Sequence, residues 1–482
     1  MLDFVRNLNE YGDMPLVLGV DSSTQSTKAV LVDADDGTVV ASRTAPHPDG
    51  TSVDPRAWLE AFDAAAGPLL PRAAAVAVGG QQHGMVALDA EDAPVHDALL
   101  WNDTRSAAAA AELVEEIGGP AACAEAVGSV LVASFTITKL RWLRDHEPDA
   151  ARRTTRVLLP HDYLSWHAGG RRSAPATDRG DASGTGYYSA ADGAYREDLL
   201  ERALGHAAGL PRVAGPNEQV GTTEHGAVVA PGTGDNMAAA LGLGLGPGDV
   251  SLSIGTSGVA AAVSDSPVVD RTGVVTGFAD ATGRYLPMAT TLNAARILDL
   301  HARLLGVDHD ELAALALDSV PGAHGLTVSP YYDGERTPNR PDASGTWAGL
   351  TTATSRADVA RAAVEALLCS LADALDAVAQ GLTGVDRVLL IGGGAKVRVV
   401  DPQGEAEGRD LLPGVKWEED PYKAVRNADL VVLLTEWNEF RALDLKALAR
   451  KMAQPRMVDL RNIYTAKSAR QAGFETYMSV GR

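Results

Sequence analysis

Asp235 stands in a tight glycine-rich turn, Gly232-Thr233-Gly234-Asp235-Asn236, just ahead of the Ala-rich run from Met237 to Gly242. A carboxylate held at the mouth of a pocket in this way can take a proton from a hydroxyl. Asp is equally a preferred helix cap, so the turn alone allows either role. Gln81, Gln82 and His83 follow the apolar run that begins at Ala74, and strand ends are where α/β folds place ligand groups. Trp101, Asn102, Asp103 and Arg105 lie together in LLWNDTR. A flat apolar wall beside directional donors and acceptors suits a sugar or polyol, although a core uses the same residue types. Asp21, Ser23 and Thr24 belong to a turn of small hydroxyl residues. Its N–H and O–H donors suit a phosphate, and Asp21 at the strand end can hold Mg²⁺ through water. Gly255, Thr256 and Ser257 repeat the design, and Gly392, Gly393 and Gly394 end another apolar run. Backbone without side chains there lets a nucleotide lie close, as would a plain strand-to-helix turn.

These groups need rigid elements to hold them. Leu16 to Asp33 and Val250 to Val263 both read as apolar strand, Gly/Ser/Thr turn, apolar strand. Such an internal repeat predicts two similar domains facing one nucleotide cleft. Ser134 to Pro148 predicts a helix stopped by Pro148. Thr177 to Ser189 is polar and rich in small residues, and predicts a loop that closes over a ligand, with Asp178 and Asp181 capping turns. A long amphipathic helix is expected before Val378, and a strand from Gly384 into the three glycines.

A chain of 482 residues is too long for one core, so two or more domains are expected. The net charge of −21 argues against nucleic acid or an anionic membrane surface as partner. Cys123 and Cys369 are too few and too far apart for a disulfide framework or a cysteine zinc site. The polar start and the lack of a membrane-length apolar run predict a cytoplasmic protein. Lysine use breaks sharply: Lys28 and Lys139 are the only two before Lys396, and six fall from Lys396 onward. That break predicts two segments of different origin, joined near residue 396.

Residues 16 to 396 resemble the FGGY carbohydrate kinases, and within them the xylulokinase branch. Ser134-x-Thr136-x-x-Lys139-Leu140-x-Trp142-Leu143-x-Asp145-His146 fits one family signature. Gly345-x-Trp347-x-Gly349-Leu350 followed by Asp358-Val359-x-x-Ala362-Ala363-Val364-Glu365 fits the other, and GQQHGM with LWNDTR points to the branch. The resemblance implies an α/β fold of two ribonuclease-H-like (actin-like ATPase) domains around a cleft. It implies transfer of the ATP γ-phosphate to D-xylulose, with Asp235 as general base. Gln82, His83, Trp101, Asn102 and Asn236 would line the sugar pocket. Asp21 would serve Mg²⁺. Ser23, Thr24, Lys28, Gly255, Thr256 and Ser257 would hold phosphates, and Gly392, Gly393 and Gly394 the nucleotide. Asp235 would not need a raised pKa, because the hydroxyl becomes acidic as its bond to phosphorus forms. A homodimer would also fit the family.

The tail departs from that pattern. Strands are predicted at Val397–Val400, Leu430–Thr435 and Met457–Leu460, alternating with helices. TEWNEFRALD, VDLRNIY and the closing SVGR resemble the UDP-binding domain of UDP-glucose 6-dehydrogenase. The resemblance covers only part of that domain, and no dehydrogenase activity is expected. The predicted organisation is a lead-in at 1–14, a sugar-binding domain at 15–234, a truncated ATP-binding domain at 235–396 and a partial Rossmann-like segment at 397–482. Losing the closing strand and helices would leave apolar sheet exposed on the second domain.

Overall fold

The computed structural model describes residues 15–340, 342–391, 398–402, 416–428, 430–433, 437–459 and 463–479. The chain divides into two compact units, Met1–Leu390 and Ile391–Arg482.

In the first unit, β1 (Leu16–Ser22) and β2 (Ser26–Asp33) form an antiparallel hairpin with Asp21 opposite Lys28. Inward and outward positions alternate along β1, so Leu18 and Val20 reach the core while Asp21 stays exposed. β3 (Val39–Pro46) pairs with β2, and β4 (Ala75–Gly80) runs parallel to β1. Helix α1 (Pro55–Ala65) is capped by Asp54, whose side chain accepts the Arg56 N–H. Its buried Trp58, Ala61, Phe62 and Ala65 fall on one face and share a core with Leu18, Val20, Leu31 and Val78. Trp58 is 0% exposed, and Trp58→Ala would cost about 3–5 kcal/mol. Helix α2 (Thr136–His146) ends before Pro148 as the sequence predicts, but Pro148 then opens a further short helix as its first residue. Helix α3 (Pro160–Ala168) crosses β4 so closely that a Cβ on Gly80 would stand 2.9 Å from His161 Cβ. Short strands β5 (Val228–Val229) and β6 (Thr233–Gly234) both run parallel to β4 on its far side. Helix α4 (Asp235–Gly242) follows β6 directly.

The second sheet repeats the first. β7 (Asp249–Ile254) and β8 (Gly258–Ala262) form a hairpin, β9 (Thr276–Ala279) pairs with β10 (Tyr285–Thr291), and β10 pairs with β8. Helix α5 (Ala295–Leu305) follows β10, and α6 (Arg356–Ala379) is the long helix expected. Ser355 and Asp358 close its start as a capping box. β11 (Arg387–Ile391) joins β7, giving the order β9-β10-β8-β7-β11. This matches the β3-β2-β1-β4 order of the first sheet, with β9 added outside. The two fourth strands differ. β4 is flanked by β5 and β6, whereas β11 ends its sheet among the described residues, with Val388 47% and Leu390 54% exposed.

The second unit holds three parallel strands, β12 (Val431–Leu433), β13 (Arg456–Asp459) and β14 (Thr476–Ser479). Helices α7 (Leu445–Lys451) and α8 (Ala466–Ala472) connect them, around Leu433, Leu448, Met457 and Phe474. This is the strand–helix alternation the sequence predicts. The two-residue strand Arg398–Val399 pairs with Lys416–Trp417. Val397, Leu434, Thr435 and Leu460, which end the expected strands, lie outside the described residues.

Candidate active site

Gly234 caps α4, and Asp235 is the helix's first residue. The capping role that Asp235 could have taken therefore falls to its neighbour. The Asp235 carboxylate turns back on Asn236, accepting its backbone N–H at 2.8 Å and its Nδ2 at 3.1 Å. Asn236 Nδ2 also donates to Gln82 Oε1 at 2.9 Å, joining the end of β4 to the start of α4. Desolvation first, then the Asp181 charge, push the Asp235 pKa up to about 7. A base poised near neutral pH suits proton transfer better than an ordinary carboxylate. The reaction does not require this rise, but the site supplies it.

His83 adopts φ 68°, a backbone conformation uncommon outside glycine. Its ring lies against Phe135 and Phe278, with centroids 5.1 and 5.8 Å away. Nδ1 donates to the Gly184 carbonyl at 2.6 Å, which leaves Nε2 as an acceptor on the neutral ring. Burial and the nearby Lys139 hold the His83 pKa down to about 3. Lys139 explains the strained turn. Its fully buried amino group, whose pKa burial holds well below the usual lysine range, donates to the His83 carbonyl at 2.6 Å and to the Ser134 carbonyl at 2.8 Å.

Trp101 is 45% exposed and its Nε1 donates to Thr24 Oγ1 at 2.9 Å. The aromatic wall is thus tied to the β1–β2 turn. Asn102 is exposed beside it, and buried Asp103 accepts from Thr51 and Arg105. In the turn itself, the Ser23 N–H and Oγ both donate to the Ser26 carbonyl. Asp21 is raised by desolvation, with Lys28 opposing. In the second hairpin the Gly255 N–H donates to the Ser257 carbonyl, and the carbonyls of Gly255 and Thr256 accept from Ala295 and Ala294 at the start of α5. Thr256 is exposed at the tip. Gly392, Gly393 and Gly394 lie outside the described residues. The structure therefore brings Gln82, Asp235 and Asn236 into one hydrogen-bonded set and Trp101 and Thr24 into another.

Two features were not read from the sequence. Thr177 to Ser189 is no surface lid. It is buried almost throughout, because Gly184 and Gly186 let it pack on His83 and Ile137. Asp178 does cap, accepting from the Gly180 and Asp181 N–H groups, but it also accepts from Thr233 Oγ1 at 2.7 Å. Together with Asp162 and Asp181 it surrounds His161, whose Nδ1 lies 2.6 Å from Asp181 Oδ2. Burial lowers the His161 pKa but those carboxylates outweigh it and raise it to about 9, while burial pushes Asp162 up to about 7 and Asp178 up to about 6. The second feature is Glu335, 1% exposed, which accepts from the Leu292 N–H and from Asn293 Nδ2. It seats the following Arg336 close enough to lower the His83 pKa. No spacing rule links residues 161, 181 and 335 in advance.

Residues 16–243 match the FGGY family of carbohydrate kinases, N-terminal domain, and residues 250–400 match its C-terminal domain. The chain belongs to the FGGY family of carbohydrate kinases. This FGGY kinase is 49% identical over 398 residues to the xylulose kinase of Streptomyces coelicolor, covering 79% of this chain and 80% of the relative. It is 33% identical to the xylulose kinase of Escherichia coli, covering 79% and 82%. The crystal structure of xylulose kinase from Bifidobacterium adolescentis superposes with a TM-score of 0.76 at 47% identity, covering 80% of this chain and 86% of that one. The FGGY kinase is thus an ATP-dependent sugar kinase with the two-domain actin-like fold, and the repeated sheets are its two halves. Residues 388–466 match the UDP-glucose/GDP-mannose dehydrogenase family, UDP binding domain. The two matches overlap at 388–400, across the glycine run. Among the described residues no helix is long and apolar enough to cross a membrane.

Proposed function

We propose that this kinase phosphorylates D-xylulose with MgATP, giving D-xylulose 5-phosphate and ADP. The observation that carries the reading is Asp235, held by Asn236 beside Gln82 with a pKa of about 7. The xylulose kinases at 49% and 33% identity support the sugar.

In this mechanism Gln82, Asn236, Asn102 and neutral His83 orient the hydroxyls, and Trp101 forms the apolar wall. The substrate oxygen bonds to the γ-phosphorus as the bond to the bridging β,γ-oxygen breaks. The hydroxyl proton passes to Asp235, and ADP leaves with the electron pair. Ser23, Thr24 and Lys28 on one hairpin and Gly255, Thr256 and Ser257 on the other line the phosphates. Among the described residues no group of three or more His, Cys, Asp or Glu side chains is arranged to hold a metal ion. Exposed Asp21 fits a Mg²⁺ that arrives on the nucleotide and is held through water. When bound, Mg²⁺ neutralises phosphate charge. The reading assigns 15–234 to sugar binding, 235–396 to ATP and 397–482 to the tail, in a cytoplasmic protein that forms homodimers.

A second reading is a catalytically inactive chimera that still binds pentulose, and a kinase acting on another pentulose or polyol is the alternative substrate reading. The chimera is favoured by the place where the kinase match gives way, at 388–400, beside the exposed β11. ADP release from MgATP with and without D-xylulose, beside Asp235→Ala, decides between them. Turnover that needs D-xylulose and is lost in the variant supports the kinase. No turnover, with D-xylulose still raising the melting temperature, supports the binder. Neither response refutes both.

A further inference from the structure

Among the described residues Asp181 and His161 hydrogen-bond to none of the side chains assigned above to substrate, yet they sit directly behind the base. Both are 0% exposed. Asp181 Oδ2 is held by His161 Nδ1 at 2.6 Å, while Oδ1 has no hydrogen-bond partner among the described residues. That free oxygen backs the turn that carries Asp235. A Cβ on Gly234 would stand 3.0 Å from Asp181 Oδ1 and 2.7 Å from Gln82 Cγ, so the bare backbone is wedged between the two. Gly180 extends the contact, since a Cβ there would meet Met237 of α4 at 2.9 Å and Thr233 Oγ1 at 3.1 Å.

We propose that Asp181, clamped by the His161 ring, is a positioning residue for phosphoryl transfer: it fixes the Gly234–Asp235 turn on which Asp235 receives the proton. The arrangement has a physical logic. A buried carboxylate with a free oxygen persists only where the surroundings over-determine it. The His161 Nδ1 held against Oδ2 offsets part of the cost of burying Asp181. Asp162 and Asp178 face the same imidazole at 3.2 and 4.0 Å, so the ring is not engaged by Asp181 alone. Asp181 lies near enough to Asp235 to favour its protonated form, ahead of Asp21. Lys28 opposes Asp21 on the other side, and His83 is neutral. The rigid body formed by α3, the 178–184 segment and the start of α4 therefore holds the base in place without touching sugar.

The proposal rests on the kinase reading. The test compares Asp181→Asn with Asp162→Asn, a buried carboxylate on the same imidazole but away from the Gly234 turn. For Asp181→Asn, kcat should fall about tenfold while the Kd for D-xylulose stays within about threefold. Asp162→Asn should change melting temperature and leave kcat within about twofold. A parallel loss in both variants, or a loss confined to sugar affinity, would assign the cluster to stability and overturn the proposal. If Asp181→Asn does not fold, His161→Gln, which releases the clamp, should give the same split, and failure of both to fold overturns the proposal too. Absence of ADP formation by the unaltered protein would refute the function instead. The positioning role is then read from crystal structures, where an unmoved Asp235 carboxyl in Asp181→Asn would overturn it.

Discussion

Replacing Asp235 by Asn should destroy turnover and stabilise the fold, and the gain should depend on pH. The carboxyl is raised from an ordinary 3.8 to about 7, chiefly by desolvation. The folded state therefore holds this proton more tightly than the unfolded chain does. The stability tied to it is fully present below about pH 4 and is lost as pH rises through about 7. Between pH 5 and pH 8 the unfolded group stays ionised while the folded one loses its proton. Each pKa unit is worth about 1.4 kcal/mol. The interval from pH 5 to about 7 gives roughly 3 kcal/mol, and partial solvent access reduces this to about 2 kcal/mol. Asp235→Asn keeps an oxygen to accept the Asn236 N–H and carries no such cost. It gives up a favourable charge at the helix N-terminus, worth about 0.5 kcal/mol, which is too small to reverse the sign. Urea unfolding of both proteins at pH 5 and pH 8, following the transition that D-xylulose shifts, measures the difference. The advantage of the variant should be about 2 kcal/mol larger at pH 8, with kcat down about a thousandfold. An advantage equal at both pH values would refute the raised carboxyl, and a variant retaining its kcat would refute the general base.

Other consequences are checked separately. In the unaltered enzyme kcat/KM should fall below about pH 7, with a limb that tracks Asp235 protonation, and a profile flat from pH 5 to 8 would contradict it. His83→Asn, chosen because Asn tolerates the positive φ, should raise the KM for D-xylulose about tenfold. It should leave the acid limb in place, since His83 is neutral above about pH 3. Lys139→Met preserves the stem but abandons two carbonyls, and urea unfolding should show a loss of about 2–3 kcal/mol. Trp101→Phe with Thr24→Val in a double-mutant cycle on the KM for ATP should give a coupling of about 1 kcal/mol, and additive effects would mean the 2.9 Å bond is idle.

The sequence made the hairpins legible because each had a local signature. Apolar runs broken by Ser, Thr and Gly gave the β1–β2 and β7–β8 turns, and their likeness disclosed the repeat before any coordinates. Gln82, Asp235 and Asn236 were legible for a different reason. They rested on resemblance, and the structure adds the hydrogen bonds that join them. The buried His161 cluster was not legible. Asp178 and Asp181 look like ordinary turn residues, and a polar stretch of small side chains reads as surface loop. Only the close approach allowed by Gly180, Gly184 and Gly186 turns that stretch inward. Burial of charge is a property of what packs on a segment, and no window along the chain contains that information.

The same contrast bears on the join. Sequence located it by a change in lysine use, a statement about origin rather than stability. The structure converts it into a physical asymmetry between two equivalent strands. β4 is covered by β5 and β6 and has only Ala77 exposed, whereas Arg387, Val388 and Leu390 of β11 are all exposed. An apolar edge that has no outer neighbour among the described residues invites strand pairing between molecules. Val388→Lys should therefore slow the growth of light scattering at elevated concentration. It should leave the melting temperature within about a degree, because an exposed position loses little packing. If scattering is unchanged while the melting temperature drops by several degrees, Val388 is buried in solution and the edge is already covered.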